Sequence, residues 1–108
     1  MNTAPRPSTP GPDRMAQNAA EAARLLRVLG NDHRLQVLCA LAEGEHAVGE
    51  LLARVPLSQS ALSQHLAVLR REGLVETRRQ AQVIHYRLAD ERTRRLIPVL
   101  YDLFCGDD

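Results

Sequence analysis

Hydrogen-bonding side chains cluster in one short stretch of the chain, and their types suit the reading of base edges. The stretch comprises Ser58, Gln59, Ser60, Ser63, Gln64 and His65. A glutamine amide can pair bidentately with adenine, and a serine hydroxyl can donate or accept at several base edges. On the first two turns of a helix, such a run suits the major groove of DNA. We therefore expect these six residues to lie at a DNA contact.

Several arginines follow these polar residues in the sequence. A DNA-binding protein needs such basic side chains to contact the phosphates beside the bases. Residues 58–95 hold eight arginines and four acidic residues, a formal excess of four positive charges, whereas the whole chain carries only +1. Local basic charge matters more for phosphate binding than net charge does. Arg70 and Arg71 are expected to contact phosphates or to be plain surface residues, rather than to read bases. Arg79 and Gln80, at a predicted hairpin tip, are expected to touch the backbone or the minor groove, although such a tip can also be merely solvated.

The two cysteines, Cys39 and Cys105, are the only thiols of the chain. In a reducing cytosol two cysteines do not form a structural disulfide by default. A buried free cysteine most often serves as a small apolar side chain. From composition alone, that structural role stays open for both thiols.

The four histidines do not form a metal-binding motif. They are His33, His46, His65 and His85, and they fall in different predicted elements. A structural zinc site needs about four convergent nitrogen or sulfur ligands. The chain also has no CxxC pair, no nucleophile–base pair at a recognised spacing and no glycine-rich phosphate loop. We therefore expect no metal, no cofactor and no enzymatic activity.

The bulk properties indicate a small protein of the cytoplasm. A length of 108 residues fits one domain with a limited core, which a dimer interface would help to stabilise. No apolar run is long enough to span a bilayer. The start of the chain lacks the basic-then-apolar pattern of a secretory signal. We therefore expect a cytoplasmic location and no membrane partner.

Hydrophobic spacing and helix-ending residues define the elements that must position these side chains. Residues 1–14, rich in proline, are predicted to be a disordered tail, and residues 15–105 to form one domain. Asp32 and Ser58 are the expected N-caps of the second and fourth helices, and Gly73 is expected to end the fourth. The fourth helix thus lies between Ser58 and Gly73. The other four predicted helices cover residues 15–29, 33–42, 48–54 and 90–104, and the hairpin strands cover residues 74–78 and 83–88.

This order of elements is that of a winged helix-turn-helix with one additional helix at each end. The predicted fold class is mainly α with a small β-hairpin. Because both terminal helices have apolar faces outside the compact motif, we expect a homodimer that forms through them. Pro98 lies within the last predicted helix and is expected to kink it or to split off its first turn.

Two sequence motifs extend this interpretation to a known family. LSQSALSQHL runs from Leu57 to Leu66, and LRREGLV follows from Leu69 to Val75. With the shorter segments LQVL at residues 35–38 and VGEL at residues 48–51, they make the chain resemble the ArsR/SmtB family of bacterial repressors over residues 16–104. The resemblance implies a homodimeric winged helix-turn-helix repressor. Such a repressor binds double-stranded DNA at an inverted-repeat operator and leaves it when an inducer acts.

Metal-sensing members of this family carry ligands that the chain lacks. One typical site is a Cys-x-Cys pair that follows Glu-Leu in the third helix, but here Glu50 and Leu51 are followed by Leu52, Ala53 and Arg54. Another site uses aspartate and histidine pairs on the last helix, which here contains no histidine. By this comparison, the chain is not expected to sense a metal.

A two-cysteine branch of the family fits better. The pairs Leu38-Cys39 and Phe104-Cys105 resemble the BigR, SqrR and HlyU-like regulators, which keep one cysteine in each of these two helices. The resemblance implies a sulfane-sulfur inducer that joins Cys39 and Cys105 in a tetrasulfide bridge and lowers operator affinity. Tyr101 and Phe104, one turn and one residue before Cys105, are candidates for the walls of the pocket, and a plain role in the core or in an interface stays open for both. Two alternatives stay open: an oxidant-sensing repressor that uses a simple disulfide, and a winged-helix protein that acts through protein partners.

Overall fold

The computed structural model describes residues 11–106 as five helices and a three-stranded antiparallel sheet. In chain order these are α1 Pro12–Leu29, α2 Asp32–Glu43, β1 His46–Ala47, α3 Val48–Leu52, α4 Gln59–Arg71, β2 Val75–Gln80, β3 Val83–Leu88 and α5 Glu91–Cys105. The predicted class, mainly α with a small β-hairpin, is confirmed. The two-residue strand β1 is an addition that the sequence did not predict.

The first helix begins earlier in the chain than expected. Residues 1–10 of the predicted tail lie outside the described residues. However, α1 already begins at Pro12, three residues before the predicted start, with Gly11 as its extended N-cap. Proline is tolerated in the first turn because the N–H that it lacks would have no partner there. Residues 12–14 therefore belong to α1.

Side-chain caps fix where the helices begin. Asn31, and not the predicted Asp32, caps α2, because its side chain accepts a hydrogen bond from the Arg34 N–H at 3.0 Å. The predicted Ser58 cap of α4 is confirmed by a 3.1 Å hydrogen bond from the Ala61 N–H. Gly73 follows α4 with φ of +79°, a conformation that glycine adopts without strain.

Asp90 caps α5 and satisfies the buried hydroxyl of Thr93. Its carboxylate accepts hydrogen bonds from the Thr93 N–H at 2.9 Å and from Thr93 Oγ1 at 2.8 Å. Burial acts to raise the pKa of Asp90, but hydrogen bonds from Arg92 and Thr93 outweigh it and lower the pKa below its usual value. The helix then continues through Pro98 to Cys105 as one element.

The sheet has the order β1–β3–β2 and forms the wing. Strand β2 pairs with β3 from Val75 opposite Leu88 to Gln80 opposite Val83. The turn between them is Ala81-Gln82, and Ala81 has a positive φ of 57°. Strand β1 covers the other edge of β3, with His46 opposite Tyr86. The wing is thus anchored at its base, and its tip projects beyond the core.

One apolar core positions α4. Leu62, Leu66 and Leu69 on one side of α4 are at most 1% exposed. They share the core with residues from every other helix and from the base of the wing: Val28, Leu29, Val37, Leu38, Ala40, Leu41, Leu51, Val55, Leu74, Val75, Leu88 and Ile97. Truncating one such leucine to alanine costs about 2–5 kcal/mol. The core therefore holds the opposite side of α4 firmly at the surface.

The terminal helices leave large apolar side chains exposed. On α1 these are Met15 and Leu26, and on α5 they are Val99, Tyr101, Leu103 and Phe104, with Phe104 84% exposed. Contiguous exposed apolar surface on a small protein marks an interaction site. Among residues 11–106, no helix is both long enough and apolar enough to cross a membrane.

Candidate DNA-binding surface and thiol site

The exposed side of α4 carries the side chains that could read bases. Gln59, Ser60, Ser63 and Gln64 are all exposed on its first two turns. No acidic residue lies in the first turn. The Ser58 hydroxyl is already engaged as the helix cap and approaches Ser60 Oγ at 3.3 Å. The structure thus brings four of the predicted residues onto one polar surface and gives Ser58 a capping position at its edge.

His65 departs from this surface and turns toward α2. It is partly buried, and its ring centroid lies 6.0 Å from that of His33 in the first turn of α2. Burial, followed by the positive charges of Arg34 and His33, lowers the pKa of His65. Its imidazole packs between helices rather than sharing the exposed side of α4.

At the wing, Arg78 and Arg79 have different surroundings. Arg78 forms an ion pair with Glu45 at 2.6 Å and also donates to Gln80 Oε1 at 3.3 Å. The hydrogen bond and the charge of Glu45 raise the pKa of Arg78. Arg79 lies opposite Ile84, and both it and Gln80 are exposed beside the turn. In the part of the chain that the structure describes, no salt bridge includes Arg79.

A groove of about 460 Å³ lies between α4 and the wing. Its lining consists of Ser63, Leu66, Ala67, Arg70, Arg71 and Tyr86. The place of Tyr86 beside Arg70 in this lining was not predicted from the sequence. The available signal was the alternation in β3, which puts Tyr86 on the same face as the buried Leu88.

Together these features make a surface suited to duplex DNA. An α-helix fits the major groove, where amide and hydroxyl side chains can meet base edges. Arg70 at the end of α4 and Arg79 at the wing tip flank the polar residues of the first two turns. Arginines in such flanking positions suit phosphates, which fix register and orientation.

The thiol of Cys39 opens into a cavity of about 260 Å³ between α2 and α5. The cavity is lined by Cys39, Ala42, Glu43, Ile97, Pro98, Tyr101 and Asp102. Burial is the main cause that raises the pKa of the Cys39 thiol, and the negative charges of Cys105 and Glu43 add to it. Cys39 is partly buried and carries no disulfide.

Cys105 lies on the helix that closes this cavity. It is the last residue of α5, one turn after Tyr101, and it is exposed and not disulfide-bonded. Sequence reasoning placed it just past the helix, so its position is corrected by one residue. The predicted wall residue Tyr101 does line the cavity, whereas Phe104 does not and points into solvent.

Within residues 11–106, no three His, Cys, Asp or Glu side chains are grouped closely enough to hold a metal ion. The rings of His33 and His65 come together, with centroids 6.0 Å apart. Two imidazoles fall short of the four ligands of a structural zinc site.

Comparisons with known proteins agree with this geometry. The sequence pattern of the bacterial regulatory proteins of the arsR family matches residues 31–77. The transcriptional activator HlyU of Vibrio cholerae is 50% identical over 84% of this chain and 84% of its own length. The chain belongs to the ArsR family. The predicted family is therefore confirmed.

Solved structures support the same assignment. The transcriptional repressor BigR from Xylella fastidiosa is 42% identical, with a TM-score of 0.84 over 91% of this chain and 100% of BigR. A homodimeric winged helix-turn-helix DNA-binding domain from Mycobacterium bovis is 35% identical, with a TM-score of 0.71 over 84% of each chain. This ArsR-family protein is thus a winged helix-turn-helix transcriptional regulator, and its family consists of DNA-binding regulators rather than enzymes.

Proposed function

We propose that this regulator is a homodimeric repressor that acts on DNA in the cytoplasm and senses reactive sulfur species. It binds an inverted-repeat operator and releases it when a polysulfide bridge joins Cys39 to Cys105. The observation that carries the proposal is the cavity between α2 and α5. One thiol opens into it, and the other ends the helix that closes it.

DNA recognition is assigned to the exposed side of α4 and to the wing tip. Gln59, Ser60, Ser63 and Gln64 would meet base edges, and Arg70, Arg79 and Gln80 would meet the backbone. Ser58 would hold the first turn of the helix in place. His65 would support α4 from the side of α2, because its ring packs near His33.

The bridge chemistry balances with a hydropolysulfide as the donor. A cysteine thiolate attacks an internal sulfur of the donor, one S–S bond of the donor breaks, and the rest of the donor leaves as hydrosulfide or a shorter hydropolysulfide anion. The protein then carries three added sulfurs, the last of them as S–H. The second thiolate attacks the next-to-last sulfur and expels hydrosulfide, which leaves two extra sulfurs between the cysteines. The two thiols are oxidised and donor sulfurs are reduced, so no other oxidant is needed.

The length of the bridge would set its selectivity. A simple disulfide requires Cα atoms within about 7 Å of one another. Two additional sulfur atoms span a longer gap. A longer bridge would therefore need less movement of α5 than a disulfide to join Cys39 on α2 to Cys105 at the end of α5.

Bridging would act on DNA affinity through the dimer. The exposed apolar residues of α1 and α5 would pack against a second copy, as the homodimeric neighbour suggests. Tying α5 to α2 would shift this interface and thereby the spacing of the two α4 helices. Half-sites on one face of DNA lie about 34–36 Å apart, so a small change in that spacing prevents both helices from docking together.

The decisive experiment measures binding of the dimer to its own upstream DNA by fluorescence anisotropy. The wild type, Cys39→Ser and Cys105→Ser are compared with and without inorganic polysulfide. The wild type should lose affinity on treatment, and both variants should keep it. The variant with both substitutions contains no cysteine at all and is the matched control for effects that do not involve thiols.

Intact-mass spectrometry on the same samples identifies the bridge. A tetrasulfide adds two sulfur atoms and removes two hydrogens, whereas a simple disulfide only removes two hydrogens. DNA release with only the disulfide mass would overturn the proposal in favour of an oxidant sensor. Absence of any salt-sensitive binding to the upstream DNA would favour action through protein partners. A reporter fused to that DNA tests repression, since HlyU is named an activator and BigR a repressor.

A further inference from the structure

Two acidic residues, and no basic residue, line the thiol cavity. Glu43, at the end of α2, and Asp102, on α5, both contribute to its lining, together with apolar or aromatic side chains. Asp102 lies one turn before Cys105 on α5. The Cys39 thiol is therefore reached through a region of negative potential, and Cys105 has the Asp102 carboxylate beside it on the same helix.

The two carboxylates are not equivalent. Glu43 is paired with Arg54, which offsets part of its charge. Among the residues that the structure describes, no salt bridge includes Asp102. Asp102 should therefore contribute more than Glu43 to the negative potential at the cavity. Arg54 should reduce that potential, because it is paired with Glu43.

We propose that this charge arrangement selects uncharged sulfane-sulfur carriers over carriers that bear carboxylates. An uncharged dialkyl polysulfide would enter the apolar cavity freely, whereas a carrier with carboxylates would be repelled by Asp102 and Glu43. The attack itself would be the same for both. The thiolate forms a bond to one sulfur of the carrier, the S–S bond breaks, and the other sulfur leaves as a thiolate. The inference names the substrate class of the thiol site and rests on the proposed function.

The effect of the carboxylates can be measured with two disulfide probes of nearly the same size, one charged and one neutral. Dithiodinicotinic acid carries two carboxylates, and its diamide has nearly the same size and no charge. Each probe reacts with a thiolate to give a mixed disulfide and releases its other half as a thiol, which is followed by its absorbance. Second-order rate constants are measured in the Cys105→Ser variant, which reports on Cys39, and in the Cys39→Ser variant, which reports on Cys105.

The informative quantity is the ratio of the neutral to the anionic rate constant. A change in thiolate fraction or in accessibility affects both rate constants and cancels in the ratio. Dividing by the same ratio for a small uncharged thiol removes the intrinsic difference in reactivity between the probes, so the normalised ratio reports the effect of the carboxylates. Two carboxylates at the mouth of a solvated cavity should slow the dianionic probe about three- to tenfold relative to the diamide. The normalised ratio should fall toward one as salt screens the field.

Three substitutions are expected to change the ratio of rate constants, two by lowering it and one by raising it. Asp102→Asn should lower the ratio at both thiols, and Glu43→Gln should lower it less and mainly at Cys39. Arg54→Gln should raise the ratio, because it exposes the charge of Glu43. The matched control is Glu91→Gln, which removes one charge from the same helix about 16 Å away along its axis and should leave the ratio unchanged.

The outcome separates this inference from the proposed function. A normalised ratio near one in the wild type, or a ratio that Asp102→Asn leaves unchanged, would overturn the charge selection even if polysulfide still released DNA. The expected ratios without DNA release would support the charge selection and contradict the proposed sensing.

Discussion

Replacing Gln64 by alanine is expected to weaken operator binding without affecting the fold. The Gln64 side chain is exposed on the second turn of α4, opposite the stripe of buried leucines. Alanine has a higher helix propensity than glutamine, so the helix itself does not lose stability. The whole effect should therefore appear in DNA recognition.

The magnitude follows from the number of contacts that are lost. A bidentate pair between a side chain and a base discriminates by about 1–3 kcal/mol. A symmetric dimer loses one such pair in each half-site, so the loss on the operator is about 2–6 kcal/mol. Each 1.4 kcal/mol corresponds to about tenfold in affinity. The dissociation constant for the operator should thus rise at least about thirtyfold.

Arg79→Gln provides the contrast that makes this prediction specific. Arg79 is exposed at the end of β2, where it would contact phosphate. Its loss should weaken operator and unrelated DNA alike, and should make the slope of log K against log salt shallower by about 1.8 per dimer. Gln64→Ala should leave both that slope and the binding of unrelated DNA unchanged.

The assay is fluorescence anisotropy titration of labelled operator and of a scrambled duplex over a series of salt concentrations. Circular dichroism confirms that both variants are folded. The reasoning would be refuted if Gln64→Ala weakened both duplexes equally, because Gln64 would then act on the backbone. It would also be refuted if operator affinity did not change.

Three further predictions concern stability and assembly. Ser58→Ala should lower the free energy of unfolding by about 1 kcal/mol in a urea titration, because the Ala61 N–H loses its cap, and Ser58→Asp should restore it. Folding lowers the pKa of Asp90, so its stabilisation is complete above the unfolded-state pKa of about 3.9 and is lost as pH falls through the folded-state pKa. Asp90→Asn should remove that part of the acid sensitivity, and an unaltered pH profile of urea unfolding would contradict the prediction. Phe104→Asp should yield a monomer in sedimentation velocity, and a dimer of unchanged affinity would exclude Phe104 from the interface.

Local sequence signals predicted most of the fold. The buried stripe of α4, its Ser58 cap and its Gly73 end all depend on residues within a few positions of each other, and the structure confirms each of them. The two-residue strand β1 was missed because it is too short to show an alternating pattern. It exists because its backbone can pair with β3 far along the chain.

The orientation of single side chains was harder to predict. His65 was grouped with its polar neighbours in the sequence, yet the helical repeat turns it toward α2 and His33. Phe104 was expected in the cavity, and Asp102 occupies the lining instead. In both cases adjacency along the chain was a poorer guide than position around the helix.

Side-chain contacts between different elements were beyond any local pattern, and they bear on how the thiols act. Arg92 in the first turn of α5 contacts Glu21 of α1 at 2.9 Å, and Arg94 donates to the Leu88 carbonyl at 2.8 Å. With the Asp90 cap, these contacts hold the N-terminal end of α5 to α1 and to the wing. Its C-terminal end carries exposed side chains up to Cys105. A bridge at Cys105 would therefore pull on the less constrained end of a helix that is anchored at the other end. The exposed apolar residues between these ends would move with it, so a change at one thiol would reach the surface proposed to hold the dimer together.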